Sequence, residues 1–143
     1  MSETKDQESV KAPSYDHEAI GIELFYSIIA AVKSDSRANA SYDQAEAEFL
    51  KANPGRIGRD LQFEFTTGKG IKAKARFYLS SDHVYPDNSV TIEELESASP
   101  HKISVSVHSG DFREWGDYSA GNLSNSPEAE TAFREAITHF FGN

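Results

Sequence analysis

The chain has 143 residues, of which 38% are hydrophobic, 26% charged and 11% aromatic, a balance that suits one globular domain and excludes a second of full size. Its formal charge of −9, from 23 Asp and Glu against 14 Lys and Arg, argues against nucleic acid as a partner, because that grip needs clustered excess cations. Cysteine is absent, which excludes disulfides, thiol nucleophiles and Cys-ligated zinc or iron–sulfur centres.

Residues 1–13, MSETKDQESVKAP, hold no apolar run and read as a flexible tail before a single α+β domain over 14–143. With no secretory or lipidation signal, the expected location is cytoplasmic. Ser14 or Asp16 is placed to cap a first helix with a stripe of Ile22, Phe25, Ile29 and Val32, widened by Ile20, Leu24 and Ile28. The stretch from Ile20 to Val32 is interrupted by Glu23 and falls short of the ~20 residues a membrane span needs, so no membrane partner is expected. Small polar residues from Ser34 to Asn39 predict a loop, since such side chains compete with the helical backbone for hydrogen bonds. Ser41 and Gln44 then have capping-box spacing for a second helix bearing Tyr42, Ala45, Phe49 and Ala52, ended by Asn53-Pro54-Gly55.

From Leu61 the apolar period changes to two. Leu61, Phe63 and Phe65 alternate with polar residues, Gly68 and Gly70 supply a tight turn, and Ile71, Ala73, Ala75, Phe77 and Leu79 alternate with Lys72, Lys74, Arg76 and Tyr78: a β-hairpin. Val90 to Leu95 fits either a strand or a helix begun by a Thr91/Glu94 capping box. Ile103, Val105 and Val107 mark a further strand, and Phe112 to Tyr118, with Gly116 inside it, predicts a bulged edge strand. Ser126 and Pro127 start a last helix with a face of Ala129, Phe133, Ala136 and Phe140, broadened by Ile137 and Phe141 and ended by Gly142. Strands with one apolar face imply a two-layer α+β fold. An antiparallel meander of about four or five strands would be packed on one side by two N-terminal helices and one C-terminal helix.

Charge is uneven along the chain. Arg56, Arg59, Lys69, Lys72, Lys74 and Arg76 against Asp60 and Glu64 give residues 55–79 a net +4, whereas residues 80–143 carry −8. Lys72, Lys74 and Arg76 alternate along one strand face and, with His108, form a candidate surface for an anionic ligand; an ordinary solvated face is the simpler expectation. Asp111, Phe112, Glu114, Trp115, Asp117 and Tyr118 combine large rings with acidic neighbours, the make-up of a protein-binding patch, while core packing of Trp115 is the competing expectation.

Catalytic signals are sparse. His17, His83, His101, His108 and His139 show no tight metal-ligand spacing, and no G-x-S-x-G elbow or phosphate-binding glycine loop occurs. His108 with Asp111, and Asp82 and His83 with Asp87, are turn residues first and acid–base groups second. Arg56-Ile57-Gly58-Arg59 reads as a connector with two solvated arginines. No catalytic residue, metal or cofactor is therefore assigned. The expected function is a non-enzymatic acidic module that binds a basic protein, as an inhibitor, an immunity-type antagonist or a chaperone. The alternatives are a small-ligand binder or simple hydrolase with a pocket between sheet and helices, and an assembly component that forms a homodimer through an edge strand.

Overall fold

Asp35 decides where the first two helices part. In the computed structural model, which describes residues 17–56, 58–80, 88–107, 113–117 and 126–142, with side chains for all of these but 17, 18 and 113–117, α1 spans His17–Ser34 and α2 spans Ser36–Ala52. The Asp35 backbone is extended, and its carboxylate accepts the N–H groups of Arg37 and Ala38 at 3.1 and 3.0 Å, satisfying donors that the first helical turn leaves open. This corrects the loop expected over 34–39. The aspartate cap outcompetes the Ser41/Gln44 box, and Ser41 lies inside α2.

Five strands follow: β1 (Arg59–Thr66), β2 (Lys72–Leu79), β3 (Asn88–Glu94), β4 (Lys102–Val107) and β5 (Arg113–Asp117); α3 (Pro127–Phe141) closes the chain. They form one antiparallel sheet in the order β1-β2-β3-β4-β5, a meander. The β1–β2 turn closes through Thr67 N–H to Ile71 O and Gly70 N–H to Thr67 O, both 2.9 Å, with Gly70 at φ +92°, where a Cβ would be strained. The ambiguous stretch at Val90 is strand β3: Val90 and Ile92 are both fully buried between core residues of β2 and β4, a gain that no isolated helical turn offers. β5 is an edge strand, but its pairing runs one to one from Ile103↔Asp117 to Val107↔Arg113, so the expected bulge at Gly116 is absent.

One core lies between the sheet and the helices. α1 packs on β3, β4 and β5 and on both other helices, α2 on β1, and α3 on β5. Leu24, Phe25, Ile28 and Val32 of α1, Ala38 and Tyr42 of α2, and Ala129, Phe133, Ala136 and Phe140 of α3 meet Leu61, Phe65, Phe77, Val90, Ile92, Ile103 and Val105 from the sheet. The α3 face is the expected one. Along α1 the stripe is rotated: Ile22, expected inside, is 37% exposed. Ser126 caps α3 by accepting the Ala129 N–H at 3.1 Å, with Pro127 in its first turn and Gly142 at its end.

Candidate functional site

Because Leu61, Phe65, Ala73, Ala75, Phe77, Val90, Ile92, Ile103 and Val105 point to the helices, the alternate residues of β1 to β4 point the other way. Among the described residues no element covers that outer face. Across its strands the register builds a row of alternating charge, Glu64, Lys74, Glu93 and Lys102, each directly opposite the next. Lys74 lies 3.7 Å from Glu93, Lys72 lies 3.4 Å from Glu96, and Arg76 donates twice to Asp60 at 3.0 Å. The hydrogen bonds and charge of Asp60 raise the pKa of Arg76 above its ordinary value.

Lys72, Lys74 and Arg76 are thus on one exposed face, as the alternation requires, but each already has a carboxylate beside it. Among the described side chains of this face four cations, Lys72, Lys74, Arg76 and Lys102, meet four carboxylates, Asp60, Glu64, Glu93 and Glu96. An open groove of about 440 Å³ lies over β1 to β3, lined by Gln62, Glu64, Lys74, Arg76, Thr91 and Glu93, with the strands at Phe63 and Ala75 as its floor. Its lining mixes apolar surface with charged side chains of both signs, and it lies open to solvent, which suits surface contact rather than enclosure of a small molecule.

His108, Asp111, Phe112 and Tyr118 lie outside the described residues, as do Asp82, His83 and Asp87. Glu114, Trp115 and Asp117 fall in β5, where the register sets Glu114 opposite Ser106, Trp115 opposite the fully buried Val105, and Asp117 opposite Ile103. Arg56 and Arg59 are not simply solvated. Arg56 stands over the Phe49 ring at 5.9 Å, and Arg59 donates to Glu46 of α2 at 3.1 Å, tying that helix to the start of β1.

Two groupings escaped the sequence reading. On the inner side of the sheet, Glu94 Oε1 accepts the His101 backbone N–H at 3.2 Å and lies 3.1 Å from His139 Nε2, while the two imidazole rings stand 4.5 Å apart. These groups hold the last turn of α3 to the ends of β3 and β4; the carboxylate can orient the imidazole, and the open groove is on the opposite face. No spacing along the chain brings residues 94, 101 and 139 together. Among the described residues no His, Asp and Glu group could hold a metal ion, and no helix is long and apolar enough to cross a membrane.

The second grouping is at the free edge of β1, where a smaller groove of about 200 Å³ runs between Ser41, Gln44, Ala45 and Glu48 of α2 and Gln62, Phe63 and Glu64 of β1. Gln62 and Glu64 were legible as outward-facing residues; that β1 is an edge beside α2 was not. Comparison of the chain with protein-family models, curated proteins and solved structures finds no match.

Proposed function

We propose that the chain is a non-enzymatic acidic module that recognises a basic protein by surface complementarity, in the manner of an inhibitor, an immunity-type antagonist or a chaperone. The observation that carries this reading is how the cations are used. Of the cations whose side chains are described, Arg59, Lys72, Lys74, Arg76 and Arg134 are in ion pairs, Lys33 and Arg56 stand over aromatic rings, and Lys69 donates to the Thr138 carbonyl, which leaves Arg37, Lys51 and Lys102 outside any such contact. Glu48, Glu64, Glu128 and Glu135 have no cation within salt-bridge distance among the described residues, so the outward field of a chain with net charge −9 is that of its carboxylates. Such a field speeds encounter with a basic surface and is screened over a Debye length of ~10 Å at 0.1 M salt.

The test is capture from lysate by the immobilised chain at low and high salt, identification of the bound proteins, and association kinetics with the purified partner. A basic protein whose association slows as salt rises is expected. Replacing Asp111, Glu114 and Asp117 together by their amides should lower kon more than it raises koff. Replacing Lys72, Lys74 and Arg76 by Gln should leave binding intact or faster. If the basic-face variant loses binding while the acidic variant keeps it, an anionic ligand replaces this reading; if the chain captures only itself, homodimer assembly through an edge strand does.

A further inference from the structure

β1 is the first strand of the sheet and has β2 on one side alone. Thr67 N–H bonds Ile71 O at 2.9 Å in the same register as the β1–β2 pairs, so the odd-numbered residues of β1 are those whose main chain bonds β2. The main-chain N–H and C=O of Gln62 and Glu64 therefore point away from the sheet, and no backbone partner meets them among the described residues. An edge of this kind templates another strand unless it is blocked, and neither a proline nor a bulge interrupts β1.

α2 runs beside this edge and makes it a groove. The wall from Ser41 to Glu48 spans ~10 Å of helix, which matches about three residues of an extended chain. Side chains of an added strand would alternate between the two faces of the sheet. On the inner side they meet Ala45 and the half-buried Phe63 ring, which is braced by Tyr42 at 6.1 Å and Phe77 at 5.9 Å. At the rims they meet Glu64, which has no ion pair among the described residues, and Glu48, whose one described partner is the Gln44 amide at 3.2 Å. The groove thus offers main-chain hydrogen bonds, a small apolar seat and two carboxylates outside any ion pair among the described residues, Glu64 with Lys74 opposite it on β2.

We infer that the groove between the β1 edge and α2 takes an extended segment of a basic protein as an added strand, β-branched residues toward Ala45 and Phe63 alternating with Lys or Arg toward Glu64, with Glu48 on the α2 rim adding to the attraction for cations. This rests on the reading of the chain as a binder of basic protein, and it names the surface that the partner's segment occupies. Affinity comes from the strand ladder, and the preference for cations from the two carboxylates.

The experiment uses the full chain and a capped synthetic peptide of alternating Val and Lys, with the Val/Glu peptide as its counterpart. The Val/Lys peptide should bind, slow amide exchange at Gln62 and Glu64, and leave the Val/Glu peptide unbound. Gln62→Pro removes an N–H that points away from β2, so the hairpin should persist, checked by circular dichroism, while peptide affinity falls about tenfold or more. The double variant Glu48→Gln, Glu64→Gln, which leaves the backbone untouched, should lose affinity and most of its salt dependence. No peptide binding, binding without protection at Gln62 and Glu64, or equal binding by Gln62→Pro overturns the inference. If Gln62→Pro captures the basic partner undiminished, the groove falls and the functional reading stands. If no basic protein is captured yet the Val/Lys peptide docks with protection, the groove stands and the functional reading falls.

Discussion

The Asp35 carboxylate accepts the Gly68 backbone N–H at 2.8 Å while it caps α2, so one side chain joins a helix start to the β1–β2 turn. Asp35→Ala loses the cap and the turn contact together and should cost about 2–3 kcal/mol, read by urea denaturation. Asn keeps one acceptor and should recover part of this. A Cβ on Gly68 would approach Asp35 Oδ2 to 3.3 Å, so Gly68→Ala and Asp35→Ala should be non-additive in a double-mutant cycle.

Phe133 is fully buried at the centre of α3, and Phe25 lies 7% exposed in α1. Their replacement by Ala should cost about 3–5 kcal/mol each, with Phe25 at the lower end, because both rings fill the same core and its walls cannot collapse into the space. A loss below about 1 kcal/mol at both positions, again from urea melts, contradicts the shared core.

Burial raises the Tyr42 pKa above the ordinary tyrosine value, and the neighbouring Glu46 and Asp43 charges add to it while Arg59 opposes. The folded protein thus holds a proton that the unfolded chain releases first. The stability this contributes is complete below pH ~10 and is lost as the pH climbs through the folded value. Tyr42→Phe should be nearly neutral at pH 7 and should flatten the alkaline limb of the stability profile. An unchanged limb refutes the assignment.

Arg134 bridges Glu130 of its own helix, at 2.9 Å, and Glu23 of α1. Burial works against its charge, but hydrogen bonds to the two carboxylates outweigh that and raise its pKa. Its side chain is 40% exposed, so Arg134→Ala should cost below about 1 kcal/mol, and the cost should shrink in high salt. A larger, salt-insensitive loss would assign the residue a packing role instead.

What could be read from the chain alone follows the range of each signal. The β1–β2 hairpin was legible because alternation and the turn glycines lie within neighbouring residues. So was α3, whose cap, proline, apolar face and terminal glycine all sit in one segment. The start of α2 was not, since a run of small polar residues shows that a helix boundary is near but not which side chain takes it; Asp35 was selected by its amides and by Gly68, 33 positions away. The alternation set Lys72, Lys74 and Arg76 on one side of β2, but the carboxylates of Glu93 and Glu96 beside them come from residues that a single-strand pattern cannot see. The β1-edge groove depends on strand order, which no local period encodes.

Since strand order equals chain order, every pairing in this sheet joins segments that are consecutive in sequence, and each can form by closing one connection. The sheet can therefore zip outward from the β1–β2 hairpin without waiting for distant partners. Helix docking is another matter: Glu23 and Arg134, which meet across α1 and α3, are separated by 111 positions. On this argument the meander should form early and the packing of the first helix on the last should form late, so Ala substitutions in the buried α1–α3 contact should accelerate unfolding more than they slow refolding.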